Sequence, residues 1–389
     1  MKSQPDPQAR ARAGYVRLLD WLVDAAIPLW SEAGIDAAGA FQEALDARGV
    51  ALDAPRRARV QPRQLYALQT AGRLGAKVDE TVLRRGLQAF TARYVRSDAL
   101  IRTLVSSDGR VLDEAAVLYD QAFALLALAS LKPVLGQEAE QRARVLLQSI
   151  VTHFGRPAGF ETTLPPSLPL ASNPHMHLLE ACLAWMAVSD APAWADIAGQ
   201  IVDLALDRFI APINGALREF FDEDWRPAPG EAGRIVEPGH QFEWAWLLLS
   251  WSRLAKGHPL MLAARVAAMR LIANAEEFGV DPARNVAMNS LLDDFAVHDA
   301  QARLWPQTER IKAWALASAQ VDGPWWDIVA DAVEGLELYL RTPLRGLWFD
   351  SMTADGVLSV GPAPASSFYH IVCAIDALGA ALGDVRCAA

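Results

Sequence analysis

The sequence predicts an all-α protein: six helical hairpins closed into a ring, with inner and outer circles of helices and every long connection on one face. Three observations predict it. Apolar residues recur with helical periodicity along almost the whole chain. Short and long connections alternate without exception. Unusual polar or aromatic residues recur about every sixty positions, the length of one hairpin, and a fixed period marks a repeated architecture.

Helices are expected over 10–32, 62–75, 79–95, 113–131, 136–152, 174–188, 191–208, 240–255, 258–278, 306–319, 324–340 and 367–382. Short joins fall at Gly75–Val78, Lys132–Gly136, Ser189–Pro192, Lys256–Pro259 and Gln320–Pro324. The remaining connections are long: 33–61, 96–112, 153–173, 209–239, 279–305 and 341–366. Function concentrates on such loops when a rigid scaffold holds them. Four of them share a glycine, an apolar residue and a following acid, as in Gly39-Ala40-Phe41-Gln42-Glu43, Gly159-Phe160-Glu161, Gly215-Ala216-Leu217-Arg218-Glu219 and Gly346-Leu347-Trp348-Phe349-Asp350. The glycine suits a tight bend that a side chain would resist. No long alternating strand pattern competes with the helices. A ring of this kind is one domain over 1–389, against the usual length prior, with 1–9 and 383–389 expected to be loose.

Composition narrows the function. With 52% hydrophobic and 21% charged residues, the chain is globular. A net charge of −10 and the absence of a basic stripe argue against a nucleic-acid partner. Thirteen tryptophans exceed the needs of a core and hint at a carbohydrate or aromatic-lined site. Met1–Gly14 is polar, so no secretory leader is expected. No apolar run approaches the ~18 residues of a spanning helix, so no membrane partner is expected. Cys182, Cys373 and Cys387 are odd in number and scattered, which argues against both a disulfide framework and a thiolate zinc site. A reducing cytoplasm fits, and a monomer or weak homodimer is expected.

The recurring residues are Arg59, Tyr119, His177, His240, Trp305 and His370. Each lies near the start of the helix that follows a long connection, so a closed ring brings all six to one cavity. Three are histidines, from seven in the chain. The stretch Val236–Ser250 shows the pattern best. Pro238 and Gly239 punctuate it, His240 opens the helix, and Glu243 follows one turn later on the same face, beside Trp244 and Trp246. Alone it reads equally well as a capped core helix with a satisfied histidine; the convergence of three histidines tips the balance. Aromatic faces meet sugar C–H groups while a few polar groups orient hydroxyls, so the set suits polyol recognition. Two histidines near one carbon can serve as acid and base. A helix N-terminus disfavours an imidazolium, which helps to keep a base neutral.

Other chemistries fit less well. His175 and His177 form an H-x-H pair, but on a helix their rings point about 200° apart, so no metal is expected. A glycosidase needs two flanking carboxylates; Glu180, Glu237, Glu243 and Glu309 are available, yet no pair stands out. Glu180 follows His177 by three residues and suits an orienting role. Asp120 reads as a buried hydrogen-bonding residue. Asp222-Glu223-Asp224 and Asp293-Asp294 read as solvated turn acids. No Walker motif, dinucleotide fingerprint or nucleophile elbow occurs.

Six motifs carry a resemblance: R-V-Q-P-R-Q-L-Y-A, L-Y-D-Q-A-F, N-P-H-M-H-L-L-E-A, E-P-G-H-Q-F-E-W-A-W-L-L, L-W-P-Q-T-E-R-I-K-A and S-S-F-Y-H. Together they resemble the N-acylglucosamine 2-epimerase superfamily over about residues 14 to 382, and most resemble its mannose isomerase branch. The resemblance implies an (α/α)6 barrel, matching the ring argued above. It implies His240 and His370 as the acid/base pair. Arg59, Tyr119, Asn173, His177, Glu243, Trp305 and Arg234 would bind the sugar. The implied reaction needs no metal or other cofactor: His370 removes the C2 proton of the open aldose, a cis-enediolate forms, and reprotonation at C1 gives the ketose. Reprotonation at C2 from the other face gives an epimer instead. An aldose–ketose isomerase on mannose and fructose is therefore expected. Alternatives are a 2-epimerase on N-acylglucosamine, on a disaccharide such as cellobiose (with Trp225 and Trp348 at the cleft rim), or on mannose 6-phosphate, for which Arg63, Arg102 and Arg345 are spare cations. A non-catalytic sugar-binding protein is the remaining class.

Overall fold

A computed structural model of the chain describes residues 6–320 and 325–387. Helix α1 runs over Pro7–Trp21 and continues through a π-helical turn, Leu22–Ala26, into Ile27–Glu32. There follow α2 (Val60–Arg73), α3 (Glu80–Tyr94), α4 (Leu118–Ser130), α5 (Gln137–Phe154) and α6 (Ser172–Val188). The second half contributes α7 (Pro192–Leu204), α8 (Pro238–Leu254), α9 (Met261–Gly279), α10 (Trp305–Gln320), α11 (Trp326–Tyr339) and α12 (Ala365–Ala381).

The even-numbered helices touch in a closed cycle, α2–α4–α6–α8–α10–α12 and back to α2. The helices α3, α5, α7, α9 and α11 each lie outside their hairpin partner, and α1 takes the sixth outer place against α11 and α12. This is the (α/α)6 barrel that the sequence predicts. Burial explains the sorting. Along α8, Phe242, Trp244, Leu247, Leu248 and Trp251 are all buried, and a helix apolar on every side belongs inside. In α5 the buried positions are Ala139, Ala143, Leu146, Leu147 and Ile150, one stripe facing inward, while Glu138, Arg142 and Arg144 face solvent.

Two expectations need correction. The helix expected over 113–131 begins only at Leu118, because Val111–Val117 is a strand. It joins Arg102–Val105, Arg56–Arg57 and Thr163–Leu164 in a four-stranded antiparallel sheet over the long-connection face. The segment V-L-D-E-A-A-V is locally indifferent, and pairing with Arg102–Val105 of its own connection and with Thr163–Leu164 of the next decides its state. The termini are also better held than expected. Pro7–Ala9 is helical, and Val385–Cys387 forms a 3-10 turn with Cys387 buried. Residues 1–5, 388 and 389 lie outside the described residues, as do 321–324 of the last short join.

The repeated loop pattern is real in three dimensions. Gly39, Gly159, Gly215 and Gly346 all take positive φ, from 68° to 102°. Ala99 and Asn285, at 65° and 56°, occupy the equivalent bend in the other two connections. A glutamine two residues after a recurring position clamps the loop to the barrel. Gln61 accepts from Phe41 N (2.8 Å) and donates to its carbonyl (2.9 Å). Gln121 does the same to Ile101, and Gln307 to Ala287.

The ring closes between the two ends of the chain. Arg10 pairs with Asp331 and Glu334 of α11, and Arg17 with Glu337. Tyr15 donates to Asp384 at 2.8 Å, and Arg12 to the Leu382 carbonyl.

Candidate active site

The first turns of the inner helices meet in a cavity of about 320 Å³ on the long-connection face. Tyr119, Asn173, His177, His240, Glu243, Trp305 and His370 all line it. Two of the expected residues do not. Arg234 lies on the surface, its guanidinium bonded to Asp293 (2.9 Å) and Asp294 (2.8 Å). Those two acids are therefore partnered, not merely solvated. Arg59 precedes α2 and does not line the cavity: its Nε lies 3.1 Å from Asp120 Oδ1, and its guanidinium sits over the Tyr119 ring, 4.6 Å from the centre. The cavity takes Arg63 instead, one helical turn further along the same face. Arg63 is buried, contacts the Tyr119 hydroxyl, donates to the Ser366 carbonyl at 3.0 Å and lies 4.1 Å from the centre of the Phe123 ring. The i,i+4 spacing of the two arginines was the available signal.

Trp305 stands between the two histidines, its ring 4.9 Å from that of His240 and 5.7 Å from that of His370. Their surroundings differ. His240 Nδ1 lies 2.9 Å from Glu219 Oε2 and 3.8 Å from Glu237 Oε2. Burial opposes its cation, but these two carboxylates prevail and raise its pKa to about 9. That reverses the expectation that a helix start keeps it neutral. His370 Nδ1 lies 2.8 Å from Glu309 Oε1. There burial prevails over the Glu309 contact, with Arg63 and Lys312 adding to it, and the pKa falls to about 4.

Glu309 also has a cationic partner of its own. Lys312 is wholly buried, and its Nζ sits 2.6 Å from Glu309 Oε2. The Lys312 ammonium also lies over the Trp246 ring at 4.2 Å. Burial alone would push Glu309 up, but Lys312 and His370 hold it down at about 2. Glu243 goes the other way. Burial and the nearby charge of Glu309 raise it well above the carboxylate range. Neither of its oxygens has a protein hydrogen-bond partner among the described residues, and the same holds for Asn173 Oδ1. Buried polar atoms need partners, and sugar hydroxyls can supply them here. His177 is fixed by Glu180, 3.2 Å from its Nδ1, and burial pushes its pKa down to about 3.

Two donor groups are close enough to hold a cation: His177, Glu180 and Glu243, and Glu243, Glu309 and His370. The Lys312 ammonium already serves Glu309, and the Tyr369 hydroxyl already serves Glu180. Two further residues raised by the sequence are absent from the rim. Trp225 and Trp348 are buried; Trp348 stacks on Trp30 at 4.9 Å, and Trp225 donates to the Ala158 carbonyl. His175 turns away from the cavity and holds Phe160 N and the Ala171 carbonyl, the outcome that H-x-H geometry predicts. Sequence reasoning missed Glu219, which lies in a long loop, and Lys312, signalled only by the spacing E-R-I-K on one helix face.

The sequence profile of the N-acylglucosamine 2-epimerase (GlcNAc 2-epimerase) family matches residues 39–374. The chain is 47% identical over 370 residues to a mannose-6-phosphate isomerase of Rhizobium meliloti (strain 1021), covering 92% of this chain and 95% of the relative. It is 27% identical over 282 residues to a D-mannose isomerase of Thermobifida fusca, covering 63% and 68% of the two chains. Its fold is similar to a crystal structure of D-mannose isomerase (TM-score 0.83, 19% identity, 93% of this chain and 97% of that one). It is also similar to cellobiose 2-epimerase from Bacillus thermoamylovorans B4167 (TM-score 0.82, 18% identity, 94% and 99%). The chain belongs to the N-acylglucosamine 2-epimerase family and is an enzyme of the sugar isomerase and epimerase class.

Proposed function

We propose that the enzyme is an aldose–ketose isomerase that interconverts mannose and fructose by proton transfer between histidines and an open-chain sugar. The observation that carries this reading is the pair of buried histidines flanking Trp305, each with a carboxylate at its Nδ1 but in different charge surroundings. At neutral pH His370 is neutral and can accept the C2 proton; Glu309 at its Nδ1 then stabilises the imidazolium. His240 is protonated and can donate to the ring oxygen and later to the carbonyl oxygen. Arg63 supplies positive charge toward the enediolate, and Glu243 and Asn173, whose buried oxygens have no protein hydrogen-bond partner among the described residues, meet hydroxyls. Return of the proton to C1 gives fructose. Return to the opposite face of C2 gives glucose, the outcome of a 2-epimerase.

A phosphosugar is the second reading, because the 47%-identical relative is called a mannose-6-phosphate isomerase. The charges at the mouth favour the free sugar. Arg57 and Arg303 line the cavity but are paired with Glu43 and Glu237, and Asp350 faces the same space. A phosphate there would meet committed cations and a further carboxylate. The buried Trp225 and Trp348 remove the aromatic rim that a disaccharide would want.

Proton NMR of the enzyme with mannose in D2O, with and without EDTA, tests the reading. The expected result is deuterated fructose with unchanged rate on chelation. Glucose without fructose would establish the epimerase. Conversion of mannose 6-phosphate or cellobiose alone would change the substrate, and loss of activity with EDTA would overturn the histidine mechanism.

A further inference from the structure

The barrel contains a second cavity, of about 570 Å³, entered from the opposite end where the short joins lie. Its walls are largely apolar, from Tyr66, Leu126, Ala184 and Trp246, and its rim includes Val188 and Leu254, which are exposed. At its inner end lies Glu180. Glu180 is also the partner of His177, and His177 lines the sugar cavity. One hydrogen bond, His177 Nδ1 to Glu180 Oε2 at 3.2 Å, therefore spans the partition between the two cavities. Tyr369 donates to the other oxygen of Glu180 and holds the carboxylate in place. A second line of groups reaches the same point. His370 bonds Glu309, Glu309 and His370 lie within 4.8 Å of Glu243, and Glu243 lies 3.7 Å from His177.

We infer that the lower cavity is a proton outlet, through which Glu180 exchanges protons between His177 and water while a sugar closes the upper mouth. The inference rests on the acid/base reading above and extends it to a part of the barrel that no step of that reading uses. The proton count balances. A hydroxyl of the bound sugar gives a proton to His177 Nε2 as Nδ1 releases its own to the Glu180 carboxylate, and Glu180 passes that proton to water in the well and returns to its anion. The reverse sequence takes a proton from water and restores both the first tautomer of His177 and the sugar hydroxyl. A cavity of this size with a carboxylate at its base and Thr70, Ser130 and Ser250 in its wall has both room and partners for water. Substrate in the upper cavity would block only the other route.

The test plugs the well without touching the sugar site. Ala184 lies one turn below Glu180 on the same face of α6, and Ser250 lines the well from α8. Ala184→Leu and Ser250→Leu fill the well from opposite sides, so the failure of one to fold leaves the other. The substrate is C2-deuterated mannose in ordinary water, and the measurement is the share of deuterium retained in fructose against that released to solvent. The wild-type enzyme is expected to release part of its deuterium. Both plugged variants should retain several-fold more, with kcat/KM within about two-fold of wild type. Complete retention by the wild type, or an unchanged partition in the plugged variants, overturns the outlet. A wild-type enzyme that makes no fructose overturns the functional reading instead. In that case the exchange of the His177 Nδ1 proton with water, followed by NMR without sugar, decides the outlet: slower exchange in the plugged proteins supports it, and equal exchange sinks it.

Discussion

His240 and His370 occupy equivalent places in two hairpins, each at the start of an inner helix, each beside Trp305, each with a carboxylate at Nδ1. One holds its proton to about pH 9 and the other loses it near 4. Both rings are buried and both have a carboxylate at Nδ1, so the difference lies in the balance of charge around each. Two carboxylates, Glu219 and Glu237, face His240, although Glu237 also pairs with Arg303. One carboxylate, Glu309, faces His370 and is shared with Lys312, one turn further down α10, while Arg63 adds a second cation. The count of carboxylates against cations around each ring thus sets which histidine holds its proton.

Breaking either side altogether gives the largest effect. His370→Ala and His240→Ala should each lower kcat on mannose by about 10²–10⁴-fold, the usual worth of a positioned acid or base. Near-normal turnover in either variant would remove that residue from the chemistry. The intact enzyme needs His370 neutral and His240 charged. Its kcat/KM should therefore fall as pH drops through about 4 and again as pH rises through about 9.

Lys312→Met makes the two corners alike. It leaves Glu309 buried without its cation, and breaking a buried pair costs about 3–5 kcal/mol in stability, which thermal melting would show. Because Lys312 helps to depress His370, the acid limb of the pH profile should move upward in any folded fraction. Lys312→Arg should restore much of both; a limb that stays near 4 in Lys312→Met would separate Lys312 from His370. Glu219→Gln sharpens the other corner. Removal of one of its two closest charges should bring the alkaline limb down by about 1–3 pH units.

Smaller effects test the arginines. Arg63→Met should weaken mannose turnover more than Arg59→Met, since only Arg63 lines the cavity. Equal losses would mean that the Arg59–Asp120 pair reaches the sugar in another way. Arg234→Ala should leave both kcat/KM and the melting temperature nearly unchanged, as for other exposed ion pairs.

The ring was legible because it is written in connection lengths, and the cavity because its histidines recur at the hairpin period. Both are properties of the chain read as a repeat. What failed was legible only in three dimensions. Arg59 marks the hairpin as well as any other recurring residue, but its side chain turns to Asp120, on the next inner helix. Arg234 sits in a loop with no period to anchor it. The strand Val111–Val117 exists because Arg102–Val105 folds back on it and Thr163–Leu164, from the next long connection, pairs with its end. Glu219 reaches His240 from the preceding long connection, and no spacing within either segment announces the meeting.

The seam of the ring bears on how the protein is made. Five of the six hairpins join neighbours in sequence, and each can form as soon as its own second helix leaves the ribosome. The sixth pairs α1 with α12 and the turn after it through Arg12 and Tyr15, and with α11 through Arg10 and Arg17. Within the ring, α1 must therefore wait, with its apolar face uncovered, for α11 and α12. Long-range closure of this kind slows folding, and the period before it is when a chaperone or a wrong partner can take hold of α1.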